Sequence, residues 1–162
     1  MTEHDPPASR NLDSFDRAIL RVIQRDNKTP QRTIAQSVNL SAAAVQRRIA
    51  AMEAMGVVAR NVAIVDPDAA SVTITAIVEV HLRDERAATV DAAKALFRET
   101  PEVQQCFYVT GGVSFVLIIL APDMRSYSRL TRRLFAENDL VDRYRTLVAL
   151  DRVKTDTAIV IP

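Results

Sequence analysis

Over residues 15–23 the apolar positions Phe15, Ile19, Val22 and Ile23 fall at helical spacing, and Asp13 stands where an N-cap belongs. The run Asp26-Asn27-Lys28-Thr29-Pro30 breaks that helix. A second short helix is predicted from about Gln31 to Val38, with Ile34, Ala35 and Val38 inward. Asn39, Leu40 and Ser41 follow: Asn39 tolerates the left-handed backbone of a tight turn, Leu40 fills the core, and Ser41 caps the next helix. In that third helix Val45, Ile49 and Met52 share one face and Gly56 ends it, while Ala42, Ala43, Gln46 and Arg47 point the other way.

Beyond Gly56 the period drops to two. Residues 57–66 are rich in β-branched side chains and stop at Pro67, which predicts a linker strand within a connecting segment, residues 61–73. Ile74, Ala76, Val78, Val80 and Leu82 line one face of a strand, and Thr75, Ile77, Glu79 and His81 the other. A helix follows through Val90, Ala93, Leu96 and Phe97, stopped by Thr100-Pro101. Strands are predicted over 103–110, 113–121, 144–153 and, last, 157–162; Gly111-Gly112 makes the turn between the first two, and Asp123 opens a helix burying Tyr127, Leu130 and Leu134. The order βαββαβ is the ferredoxin-like pattern, so the chain is α+β. Both helices then cover one sheet face. The stretch "VSFVLIIL" is apolar on both, and a second copy of the chain is the expected cover for the other face, making residues 74–162 an oligomerisation domain. Partial cover by the tail or linker is the alternative.

Two helices joined by so short a turn, with Ala35 at the close contact, read as a helix-turn-helix over residues 12–60. Such a motif enters the major groove of double-stranded DNA by the N-terminal residues of its second helix, and small groups at Ala42 and Ala43 let the backbone approach. Gln46 suits adenine and Arg47 suits guanine. Ser41 and the first N–H groups of the helix suit a phosphate. Arg32 and Arg48 serve phosphates or intramolecular pairs, Arg48 lying nearer the buried face. An alanine-rich core helix in a small bundle is the competing reading. Charge separates the two: the net charge is +1, yet residues 17–60 hold eight basic side chains against two acids, a segregation expected of a nucleic-acid-binding module.

Residues 1–11 are polar, without the apolar run of a secretory signal, and read as a disordered tail. No stretch is apolar enough to span a membrane. The single cysteine, Cys106, forms no internal disulfide, which fits a reducing cytoplasm, and reads as a small core residue. His4, His81 and Cys106 lack metal-ligand spacing, Gly111-Gly112 opens no helix and so is no phosphate loop, and no acid, base and nucleophile cluster. Neither an enzyme, a catalytic residue, a metal nor a cofactor is expected.

The pieces "LDSFDRAIL", "IAQSVNLSAAAVQRRIAAMEAMGVV", "EVQQCFYVTGG" and "VKTDTAIVIP", in this order and spacing, resemble the leucine-responsive regulator/AsnC family of bacterial and archaeal transcription factors. The resemblance runs from about Leu12 to Pro162. It implies a winged helix-turn-helix and an αβ-sandwich that dimerises, assembles into tetramers or octamers, and often binds an amino acid between subunits. The family's effector loop maps onto Thr110, Gly111, Gly112 and Ser114. Where the family carries two acids in that loop, this chain has Gly112 and Ser114, and Asn61-Val62 replaces a linker Gly-Tyr. Without those carboxylates an ammonium group lacks its partner, so ordinary amino acids are expected to bind weakly and a less cationic ligand better. Three functions remain open: a cytoplasmic, nucleoid-associated regulator answering to a small metabolite or amino acid; a nucleoid-organising DNA-binding protein without effector; and a small-molecule-binding regulatory module.

Overall fold

A computed structural model describes residues 12–162, so the tail expected over residues 1–11 lies outside the described residues. The chain divides into two compact units. One holds the described residues up to Ala63 together with Thr155–Pro162, and the other holds Ile64–Lys154.

The first unit contains α1 (Ser14–Ile23), α2 (Gln31–Val38) and α3 (Ala42–Ala54). Asp13 caps α1 in a reciprocal box: its side chain accepts from the Asp16 N–H at 2.8 Å, and the Asp16 side chain accepts from the Asp13 N–H at 3.2 Å. Asn39 adopts φ +56° at the end of α2 and its neighbour Leu40 donates its N–H to the Ala35 carbonyl at 3.0 Å, closing the turn expected from the sequence. Gly56, at φ +70°, ends α3: its N–H reaches the Glu53 carbonyl and the Val57 N–H the Met52 carbonyl, both at 2.8 Å. This pairing satisfies carbonyls the helix end would leave open, and the left-handed residue it requires costs a side-chain-bearing residue steric strain. Ile19, Leu20, Ile34, Ala35, Val38, Val45 and Met52 form the core. Phe15, expected inside, is 39% exposed, and Leu20 takes an inward place instead.

The second unit is a four-stranded antiparallel sheet of order β2-β3-β1-β4, built from β1 (Ile74–Leu82), β2 (Val103–Tyr108), β3 (Phe115–Ala121) and β4 (Val141–Val148). Central β1 sets Val78 opposite Leu117 of β3 and Thr146 of β4, and edge strand β2 sets Cys106 opposite Leu117. Between the strands run α4 (Ala87–Glu99) and α5 (Met124–Thr131), which continues through one wider π-helical turn over Arg132–Ala136. Alternate residues of β1 and β3 bury themselves against both helices in one cluster that includes Val78, Val80, Phe97, Phe115, Leu117 and Leu134. Phe97 stands edge-on to Phe115 and Phe135, with centroids 5.3 and 6.1 Å apart. The βαββαβ order and the one-sided helices match the sequence pattern.

Three expectations are corrected. Residues 57–66 form no strand; Val62, Ile64 and Val65 are exposed, because a lone segment has no ladder to hydrogen-bond with. Residues 157–162 likewise form no strand and cluster with the helix-turn-helix unit: Arg21 donates to the Ile161 and Pro162 carbonyls, Gln24 exchanges hydrogen bonds with Ile159, and Ile161 packs on the three-helix core. Cys106 is exposed, since β2 is an edge strand whose residues beyond Val103 escape helix cover.

Candidate nucleic-acid interface and effector cleft

The front end of α3 is built from its cap. Ser41 is extended at φ −76°, and its hydroxyl accepts from the Ala44 N–H at 3.1 Å. Ala42 and Ala43 follow, exposed and carrying only methyl groups, and Gln46 and Arg47 are exposed one turn on. Val45 and Met52, on the opposite face, are 0% and 1% exposed, so the helix is anchored along one side and bare along the other. Arg32, near the start of α2, is exposed as well. Neither Arg32 nor Arg47 makes an ion pair among the described residues.

Arg48 differs. Its guanidinium donates to Asp13 and to Asp16, each at 2.7 Å, and lies 5.5 Å over the Phe15 ring. These bonds tie α3 to the capping box of α1, first Asp16 and then Asp13 raising the guanidinium pKa above its ordinary value. The Asp16 N–H, and behind it Arg48, hold the Asp13 carboxyl below the usual carboxylate range. Of the two roles open to Arg48, the intramolecular pair is the one formed here. Arg48 follows Arg47 by one residue, and a helical step of about 100° is enough to turn it from solvent toward α1.

In the second unit, the four loop residues chosen from the sequence come together around a cleft of about 400 Å³ at the end of β1 and β2. Gly111 and Gly112 take φ +104° and +89°, a backbone that only glycine adopts without strain, and a Cβ at either would meet nothing within 4 Å. Thr110 is exposed beside them, and Ser114 is buried. The Ser114 hydroxyl accepts from the Leu82 N–H at 3.0 Å and donates to Glu85 Oε1 at 2.5 Å. Tyr108 donates to Glu85 Oε2 at 3.0 Å, and that bond raises the phenol pKa above its ordinary value. Lys94 Nζ lies 4.9 Å over the Tyr108 ring.

The expectation of a cleft without a carboxylate therefore needs correction. The loop itself has none, but Glu85, 29 residues earlier in the chain, reaches it from the β1–α4 connection. No motif linked these positions; only the antiparallel pairing of β1 with β3 brings the end of one strand beside the start of the other. A larger hollow of about 630 Å³ between the end of α4 and the π-helical turn contains none of the residues singled out from the sequence. No group of three metal-ligating side chains and no helix long and apolar enough to cross a membrane occurs among the described residues.

Residues 12–59 match the winged helix-turn-helix DNA-binding domain and residues 75–159 the Lrp/AsnC ligand binding domain. An uncharacterized HTH-type transcriptional regulator of Sinorhizobium fredii is 41% identical over 148 residues, covering 91% of this chain and 88% of the relative. The crystal structure of an AsnC family transcriptional regulator from Agrobacterium tumefaciens superposes with a TM-score of 0.85 at 28% identity, over 91% of this chain and 96% of that one. A transcriptional regulator from Neisseria meningitidis in complex with L-Met gives 0.84 at 26% identity over the same shares. A capped recognition helix on a three-helix core, followed by an α+β ligand-binding unit, makes this chain a DNA-binding transcriptional regulator and not an enzyme. It belongs to the Lrp/AsnC family.

Proposed function

We propose that the chain acts on DNA as a homodimer, seating the N-terminal end of α3 in the major groove and answering to an amino acid held in the cleft of the second unit. The front of α3 carries the proposal: a Ser-capped helix end with only methyl groups at Ala42 and Ala43, and with Gln46 and Arg47 exposed behind them. Ser41 and Arg32 contact phosphates, while Gln46 and Arg47 read base edges. Arg25, Lys28 and Arg60 are exposed on the same unit and add charge for DNA.

Dimerisation is supported by the sheet face that bears no helix. Phe107 and Leu147 on it are 51% and 45% exposed; register sets Leu147 beside Ile77 and Ile118 in one row and Phe107 beside Val116 in the next, which runs on into the ion pair of Glu79 with Arg145. An apolar stripe with a charged margin has the anatomy of a protein interface. The L-Met bound to the Neisseria regulator supports an amino-acid effector, as does the convergence of Thr110, Gly111, Gly112 and Ser114 on one cleft. Binding to DNA would place the protein at the nucleoid.

Fluorescence anisotropy against the protein's own upstream region and against random DNA, at 50 and 200 mM salt, tests the reading. A regulator prefers its own region by roughly 10³-fold or more, a preference that survives at the higher salt. Equal affinity for both sequences, falling steeply with salt, would instead identify an organiser of the nucleoid. Light scattering on the same samples reads dimers, tetramers or octamers, and a monomer at micromolar concentration overturns the assembly.

A further inference from the structure

We propose that Glu85 receives the amino group of an α-amino-acid effector, supplying the charge that the Gly111–Ser114 turn does not; this rests on the effector reading above. Each oxygen of the Glu85 carboxylate is held by one hydroxyl, Oε1 by Ser114 at 2.5 Å and Oε2 by Tyr108 at 3.0 Å. The Leu82 N–H donates to the Ser114 oxygen, which leaves that hydroxyl's single proton for Glu85. The carboxylate thus has one orientation before any ligand arrives. Preorganisation of this kind removes part of the cost of binding.

Two of its roughly four acceptor positions are used in this way, so room remains for N–H donors. No lysine or arginine pairs with Glu85 among the described residues. The neighbouring acid is in the opposite situation. Asp84 accepts from the Arg86 guanidinium at 2.7 Å, from the Arg86 N–H at 3.0 Å and from the Thr89 hydroxyl at 2.7 Å, and these bonds hold its carboxyl far below the ordinary range. Of two consecutive acids, one is consumed by its own loop and the other is aimed, unpaired by cations, at the cleft.

The rest of the cleft suits the remainder of an amino acid. At Gly111 and Gly112 only backbone faces the space, so peptide N–H groups can approach a ligand carboxylate without a side chain intervening. Leu82, Val113 and the Tyr108 ring line it with apolar surface. A purely structural Glu85, strapping the β1–α4 connection to the turn, would use the same two hydrogen bonds, and the test has to separate that role from recognition.

The twenty amino acids are first screened by thermal shift on the full-length protein. The strongest binder and its deaminated carboxylic acid are then titrated calorimetrically into wild type, Glu85→Gln and Glu85→Asp. Wild type is expected to prefer the amino acid by tenfold or more. In Glu85→Gln that preference falls below about threefold while affinity for the deaminated acid holds, and Glu85→Asp, which keeps the charge, retains part of the preference. A wild-type preference that persists in Glu85→Gln overturns the role of Glu85 and leaves the effector reading standing. Equal weakening of both ligands in both variants identifies a strap and also overturns it. A wild type that binds no amino acid removes the effector reading and this proposal with it.

Discussion

Two substitutions at Ser41 separate the stability of the recognition helix from its fit to DNA. The hydroxyl satisfies the Ala44 N–H at 3.1 Å from an exposed position. Alanine removes that acceptor, and loss of an N-cap costs about 1 kcal/mol, within a range of roughly 0.5–2 kcal/mol. In a unit of this size that lowers Tm by about 4–8 °C per kcal/mol. Aspartate caps as well as serine and adds a favourable charge at the helix start, about 0.3–1 kcal/mol, so Ser41→Asp melts no lower than wild type. At the DNA the order reverses. A carboxylate about 5 Å from a phosphate, at an effective dielectric between about 20 and 80, is repelled by roughly 1–3 kcal/mol, or about 5- to 150-fold in affinity. Thermal melts read the first effect and anisotropy on the specific site the second. Ser41→Asp binding within twofold of wild type would show that this helix end does not face phosphate. An unchanged melt for Ser41→Ala would show that the cap does no structural work.

Arg47→Ala is expected to lose about 1–3 kcal/mol on the specific site and to relax sequence preference without lowering Tm, in anisotropy against specific and random DNA; equal losses on both would count against base reading. Phe97→Ala removes a ring that is 1% exposed and contacts two other aromatic rings, so it should cost about 3–5 kcal/mol in urea denaturation, enough to abolish most of the second unit's stability. The Asp123 carboxyl caps α5 through the Ser126 N–H at 2.7 Å, a bond that lowers its pKa from 3.8. A lowered folded-state pKa gives stability that is complete above the unfolded value and is lost as pH falls through the folded one, below about pH 4. Asp123→Asn, which still caps but does not titrate, should therefore lose less stability than wild type between pH 5 and pH 3; identical acid profiles would assign the effect elsewhere.

Much of this molecule could be read from local rules. Asp13, Ser41 and Asp123 cap helices because a short acceptor side chain before a helical run has one nearby use, and Asn39 and Gly56 mark left-handed backbone for an equally local reason. Periodicity found the buried faces of α2, α3 and β1 because burial is set by which side of an element meets its neighbour; β3, apolar on both faces, was assigned its buried side only by the structure. These signals were enough to find the helix-turn-helix, the βαββαβ order and the loop around Gly111. Tertiary structure alone decided what depends on distant partners. Segments 57–66 and 157–162 carried strand-like composition, but a strand exists only where another strand meets its N–H and C=O groups, and among the described residues none does. Arg47 and Arg48 are the same residue type one position apart, and only the packing of α3 on α1 commits the second to Asp13 and Asp16. Glu85 and Ser114 share no motif; the pairing of β1 with β3 brings them together, and with them the carboxylate whose absence the loop sequence had implied.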